Sequence, residues 1–163
     1  MSIMPTLTPT DGKDPKVEEF LYQVFYSTKQ EEAVSWGFPP EEADSFIRTQ
    51  WMIRQQAYQL QYPCANTELI IYDNRWIGSL MTVRTEEALH LIDLALLPTY
   101  RNQQHGTHII TKLQQDASER HIPILLHVLA MNPALRLYQR MGFTITGNHE
   151  PYLSMQWTMD TGT

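Results

Sequence analysis

A chain of 163 residues with 42% hydrophobic and 18% charged side chains has the size and make-up of one ordinary globular unit, which excludes disorder along its whole length. Twelve Lys and Arg against eighteen Asp and Glu leave a formal charge of −6, so no overall attraction to nucleic acid or to a membrane surface is expected. Any polyanionic ligand has to be held locally. The single cysteine, Cys64, cannot close an intrachain bridge, the start of the chain has no signal-like stretch and no run reaches membrane-span length, so a cytoplasmic protein is expected.

Residues 1–15, rich in Thr and Pro and without periodicity, read as a flexible lead-in, and residues 16–160 as one domain. From Val17 onward Phe20, Leu21, Val24 and Phe25 recur at helical spacing, which predicts an amphipathic helix ending before the Trp36-Gly37-Phe38-Pro39-Pro40 turn. Glu41 and Glu42 open a second helix, with Phe46, Ile53, Ala57 and Leu60 expected along its buried face until Tyr62-Pro63 stops it. After Pro63 the character changes. Residues 68–72 and 77–84 are β-rich runs around Asp73-Asn74-Arg75, which predicts a hairpin. Residues 90–97 form a largely apolar strand, expected to be buried on both faces although Asp93 interrupts it. Residues 106–121 return to helical spacing at Ile109, Ile110, Leu113 and Ala117, and 123–129 is again of strand length. Strand, helix, strand asks for a right-handed crossover between parallel neighbours. A shorter helix starts at Pro133 and stops at Gly142, and residues 143–146 and 153–159 close the chain as a hairpin.

The most informative stretch is 94–108. A strand runs through a polar turn straight into a helix, so several backbone N–H groups and the positive helix end point at one spot. Charge-assisted hydrogen bonds of roughly 1.5–3 kcal/mol each let a few of them hold a phosphate even on an acidic protein. Many strand-to-helix turns of this kind bind only water. No Gly-x-x-x-x-Gly-Lys-Ser/Thr and no Gly-x-Gly-x-x-Gly string occurs, which removes the main support for a nucleoside triphosphate or a dinucleotide.

Pro98-Thr99-Tyr100-Arg101 followed by Gly106, and then Asn132-Pro133-Ala134-Leu135-Arg136-Leu137-Tyr138-Gln139-Arg140-Met141-Gly142-Phe143, resembles the GNAT superfamily of acyl-CoA-dependent N-acetyltransferases. The likeness covers roughly residues 66–159 in element order and, more loosely, the two N-terminal helices. It implies an α/β fold of the α+β type: a mixed, mainly antiparallel sheet of six to seven strands flanked by helices. It implies acetyl-CoA as cosubstrate, no metal, and an amine acceptor that is a small molecule or a peptide, and it is compatible with a homodimer. By the same resemblance Arg101, Asn102, Gln103, Gln104, His105, Gly106 and Thr107 would cradle the CoA pyrophosphate. Leu94, Ala95 and Leu96 would offer backbone groups to pantetheine in the manner of an added strand, and Asn132 would bind the cofactor arm. Tyr138 would sit near the thioester sulfur and protonate the departing thiolate.

One position departs from the family pattern: Gln104 stands where its first glycine is usual. If that backbone is left-handed, glutamine costs about 1–2 kcal/mol there, which weakens binding roughly tenfold; if it is helical, the cost is small. His105 and His108 are unusual in the turn, and a protonated histidine binds phosphate.

Acetyl transfer needs a neutral amine, so a base or a water chain has to remove a proton. His127, on the second central strand, aligns with a catalytic glutamate of some family members, and histidine titrates closest to neutrality of the ordinary side chains. It reads equally as a hydrogen-bonded core residue. Asp93 is the second candidate, acting through water, and its burial between Ile92 and Leu94 demands a partner, backbone N–H bonds or a wet cleft. Glu150 and Tyr152 in the last hairpin could shape an acceptor pocket, and Gln50, Gln55, Gln56, Tyr58 and Tyr62 in the second helix could contact a polar acceptor from the side opposite CoA; a polar turn and a solvated helix face are the other readings. The other reading of the same residues is a non-catalytic acyl-CoA-binding or protein-interaction module that keeps the fold.

Overall fold

The computed structural model describes residues 4–11 and 13–159. Positions 1–3, 12 and 160 of the expected lead-in and domain lie outside that range. The first helix, α1 (Pro15–Ser35), begins where Asp14 accepts a hydrogen bond from the Lys16 amide (2.9 Å) and Pro15 supplies a ready-made helical φ. Gly37, at φ +80°, lets the chain reverse into α2 (Pro40–Gln61). The two helices pack through Tyr22, Phe25 and Ala33 of α1 against Ala43, Ile47 and Trp51 of α2.

This corrects the expected buried face of α2. Phe46, Ile53, Ala57 and Leu60 do share one stripe, but it faces solvent, with Leu60 85% and Ile53 61% exposed. The neighbouring stripe of Ala43, Ile47 and Trp51 goes inward, because it carries the indole that Phe25 and Tyr22 meet edge-on or tilted, 5.2 and 5.9 Å between centroids. Periodicity finds both stripes; only the partner helix chooses between them.

The strands are β1 (Thr6–Thr10), β2 (Asn66–Tyr72), β3 (Arg75–Arg84), β4 (Leu89–Leu96), β5 (Ile124–Leu129), β6 (Thr144–His149) and β7 (Tyr152–Trp157). They form one sheet in the order β1-β2-β3-β4-β5-β7-β6, antiparallel everywhere except between β4 and β5. Strand β1 lies within the segment read as a lead-in. Its threonines favour a strand but Pro9 interrupts the run, which an edge strand tolerates, and the edge of β2 supplies the pairing, from Thr6↔Ile71 to Thr10↔Thr67. Lys112 fixes its start by donating to the Pro5 carbonyl (2.8 Å).

The crossover helix α3 (His105–Arg120) covers one face of the sheet. Ile109, Ile110, Leu113 and Ala117 are all at most 2% exposed and pack into the same cluster as Leu80, Leu89, Leu91, Ile124 and Leu126. Helix α4 (Ala134–Arg140) returns the chain to β6, and Gly142 at φ +93° ends that turn. Among the described residues no helix is long and apolar enough to cross a membrane.

Between β4 and β5 only three parallel pairs form, Leu89↔Ile124, His90↔Leu125 and Leu91↔Leu126. On its other edge β4 carries a bulge: Thr82 pairs with Leu91 and Met81 with Asp93, so Ile92 is an extra residue. A bulge bends its strand, and pairing with β5 stops at the same place. Residues 92–96 are therefore half-buried rather than covered on both faces, against the expectation from their apolar run.

The assignment of the α2 faces predicts that Ile47→Ala costs about 2–5 kcal/mol while Leu60→Gln stays within about 0.5 kcal/mol of the parent, read from urea unfolding midpoints.

Candidate functional site

From Ile92 to Leu96, β4 is hydrogen-bonded to β3 on one side and has no strand on the other. Gly78 makes the β3 side tight: a Cβ there would stand 2.2 Å from the Ala95 carbonyl oxygen. Leu94, Ala95 and Leu96 thus present main-chain groups along an open edge that faces the diverging β5. Arg101 takes one of them, its Nε donating to the Leu96 carbonyl (3.1 Å).

The open edge leads into the turn before α3. A single 3-10 turn, Pro98–Tyr100, is followed by Arg101 in extended conformation, with Asn102 at φ 60° and Gln104 at φ 68°. The left-handed alternative for Gln104 is the one that holds. Strain of this kind persists where the surroundings impose it and is concentrated at ligand sites. Gln103 braces the turn by donating to the Thr99 carbonyl (2.8 Å), and the His108 amide closes the first helical bond to the Gln104 carbonyl (3.0 Å). Among the described residues, the amides of 102–107 find no acceptor within the protein. Gly106 lies so close to α4 that a Cβ would be 3.1 Å from Leu137 Cδ2.

His105 turns inward. It is 4% exposed, rests on Tyr72 (4.3 Å between centroids) and Tyr100 (6.2 Å), and neither ring nitrogen has a hydrogen-bond partner. Burial, and secondarily the neighbouring His108, push its pKa below the usual histidine value. The ring is therefore held neutral, and His105 can offer the turn only its backbone amide as a donor. A cationic His105 is not part of this site. His108 is half-buried one helical turn later.

Asn132 spends its side-chain oxygen on the first turn of α4, accepting from the Ala134 amide (2.9 Å). Tyr138, in α4, is 7% exposed and packs against Phe143 (5.6 Å). Burial raises its phenol pKa well above the ordinary value, and the charge of Asp93 adds to the rise.

Asp93 has the partner its burial demands: Arg54 of α2, at 2.8 Å. The Arg54 guanidinium also lies over the rings of Tyr58 (4.6 Å), Phe25 (5.3 Å) and Trp51 (5.5 Å). Arg54 was not visible as a site residue from spacing alone. The signal was its position on the inward stripe of α2, where a charge needs an explanation. Tyr58 is pushed above the usual phenol value chiefly by burial, against the lowering effect of Arg54.

His127 is exposed on β5, one residue past the last parallel pair, and its Nδ1 lies 3.1 Å from Ser154 Oγ of β7. Both line a cavity of about 190 Å³ with His90, Ile92, Tyr62 and Thr146. Glu150 is exposed in the β6–β7 turn and Tyr152 at the start of β7, and Gln55 and Gln56 are exposed on α2; none of them lines this cavity. A shallower hollow of about 470 Å³, beside Arg84 and Arg120, lies at the far end of α3, where both arginines pair with Asp116.

The family model for the GNAT acetyltransferases matches residues 22–143, and the chain belongs to that family. No curated protein sequence matches the chain. Among solved structures, the PaiA N-acetyltransferase of Thermoplasma acidophilum in complex with coenzyme A superposes with a TM-score of 0.69 at 16% identity, covering 98% of this chain and 100% of that one. A GNAT family acetyltransferase of Elizabethkingia anophelis with acetyl-CoA bound gives 0.61 at 14% identity, over 95% and 98% of the two chains. An aminoglycoside 6'-N-acetyltransferase complexed with coenzyme A gives 0.60 at 14% identity, over 94% and 96%. At such identities the likeness establishes the fold: a mixed seven-stranded sheet with four helices.

Two substitutions test the turn. Gln104→Gly is expected to raise the melting midpoint, because relief of about 1–2 kcal/mol of left-handed strain exceeds the added chain entropy of about 0.4–1 kcal/mol, while Gln104→Val lowers it. His105 resists protonation when folded and accepts it freely when unfolded, so the stability it confers is complete above about pH 6.5 and is lost as pH falls below that value. Between pH 7.5 and 5.5 the parent should lose more stability than His105→Phe, and equal losses would contradict a neutral buried imidazole.

Proposed function

We propose that the protein is an N-acetyltransferase that moves an acetyl group from acetyl-CoA to a primary amine by direct transfer in a ternary complex. The observation that carries this reading is the continuity of two sets of main-chain groups. The open edge of β4 runs directly into a turn whose amides have no acceptor among the described residues. An extended amide-bearing arm suits the first set and a diphosphate suits the second, which is the chemistry of coenzyme A. Family membership and the coenzyme A named with the similar structures support the same ligand. We assign Leu94, Ala95 and Leu96 to the arm, with the free amide group of Asn132. The backbone of Arg101, Asn102, Gln103, Gln104, His105, Gly106 and Thr107 is assigned to the diphosphate.

A thioester carried along that edge reaches the end of the split, where His127 stands. We assign to His127 the proton that the acceptor ammonium must lose before it can attack: Ser154 engages Nδ1, which leaves Nε2 for the cavity. Asp93 is less suited to this task because Arg54 already holds its carboxylate. It serves by keeping Arg54 and the α2 face in place. The freed amine attacks the carbonyl carbon and forms the new C–N bond; the C–S bond breaks with its electron pair leaving on sulfur, and the nitrogen sheds its second proton to solvent.

An ordinary phenol is about 1.5 pKa units weaker as an acid than an ordinary thiol, which makes full proton transfer to the thiolate uphill by about 2 kcal/mol, and the upward shift of Tyr138 increases this. Tyr138 is therefore assigned as a hydrogen-bond donor to the leaving sulfur, with the last proton arriving through solvent. A cytoplasmic setting fits the free thiol of Cys64, which is exposed.

Saturating acetyl-CoA, at 100 times its dissociation constant, is expected to add about 2.7 kcal/mol, or about 5–10 °C in melting temperature. Absence of any shift rejects the coenzyme reading. In Tyr138→Phe and His127→Gln the shift should remain while acceptor-dependent thiol release falls, by at least about tenfold and about a hundredfold respectively. Binding that persists with no acceptor-dependent release in the parent protein would instead indicate a non-catalytic acyl-CoA-binding module.

A further inference from the structure

We infer that the acceptor is a compact monoamine with an apolar body, seated in the cavity of about 190 Å³ beyond the end of the β4–β5 pairing, and that polycationic amines are turned away. This rests on the transfer reading above and deepens it by naming the acceptor class. The position comes from the register. Leu91 and Leu126 are the last parallel pair, Ile92 and His127 are the first residues to diverge, and all four line the cavity. A thioester laid along the open edge of β4 from its far end arrives at this mouth.

The volume sets the size. An enclosed cavity of about 150 Å³ accommodates benzene, so this one, open on one side, shelters a single ring or a short branched chain together with its amine. Its walls set the chemistry. Leu91, Ile92, Leu125 and Met155 give an apolar floor. His90, His127, Thr146, Ser154 and Tyr62 give hydrogen-bonding groups, and no Asp or Glu is among the lining residues. The nearest carboxylate along β4, Asp93, is already paired with Arg54, so its charge is neutralised before any second ammonium arrives. One ammonium can surrender its proton to His127 and react. Each further one would have to lose water without gaining a counter-charge, which is costly in a confined site. The formal charge of −6 draws cations to the protein at long range but does not compensate them here.

The full chain with acetyl-CoA should release thiol with 2-phenylethylamine at a kcat/KM at least tenfold above that with spermidine or kanamycin. Thr146→Asp, which places a carboxylate in the lining at an exposed position, should raise the spermidine value about tenfold. Occupancy is read separately from turnover, as the melting shift that each amine adds to the coenzyme A complex. A shift with 2-phenylethylamine that is lost in Leu125→Trp supports the inference even without thiol release, and in that case it is the transfer reading that fails. Equal or better turnover or a larger shift with spermidine or kanamycin overturns the inference, as does the absence of both turnover and shift with 2-phenylethylamine.

Discussion

The structure depends on the point at which β4 and β5 stop pairing. Three parallel pairs hold them together, and beyond Leu91↔Leu126 the ladder ends while the bulge at Ile92 bends β4. A sheet that kept pairing would satisfy every main-chain group and leave nothing for a ligand. Interrupting it leaves five residues of β4 with one edge bonded to β3 and the other open. The cost is tolerated because the paired halves on either side are anchored in one apolar cluster, where Leu89, Ile124, Ile109 and Ile110 are fully buried.

Three groups take their properties from that interruption. Tyr138 is withdrawn from water on α4 and feels the charge of Asp93, so its phenol stays protonated. Asp93 is placed on the bent strand where a carboxylate needs compensation, and α2 provides it through Arg54, itself held among three aromatic rings. His127 is the first β5 residue past the last pair and reaches an open cavity with Ser154 behind it. Helix α2 is thus more than a cover: Tyr62 at its end lines the cavity and Arg54 holds Asp93, both contributed by a segment far from β4 in sequence.

The element order and most boundaries were legible in the chain because hydrophobic periodicity and Pro or Gly punctuation are local. The hairpin at Asp73-Asn74-Arg75 is there, with Asp73 and Asn74 at positive φ, and the crossover helix starts at His105, one residue before the expected place. What failed was what depends on a neighbour. The edge strand at residues 6–10 is too short and too broken by Pro9 to stand out, and it is fixed by pairing with β2. The inward face of α2 was assigned to Phe46, Ile53 and Leu60, yet α1 accepts Trp51 instead. The turn at Gln104 could be stated only as two alternatives, since a φ value is set by what the strand and helix on either side require.

The amino-acid order alone determined the succession of helices and strands, the parallel strand-helix-strand unit and the family to which its motifs point, because each rests on residues within a few positions of one another. Only the tertiary structure decided that Asp93 is answered by Arg54, that His127 sits on Ser154 and that His105 is sealed beneath the turn. Those three outcomes depend on which side chains meet across 39 residues, across two strands, or inside a closed core. The energy of a charge or an imidazole is fixed by its surroundings in space, and sequence distance carries no information about them.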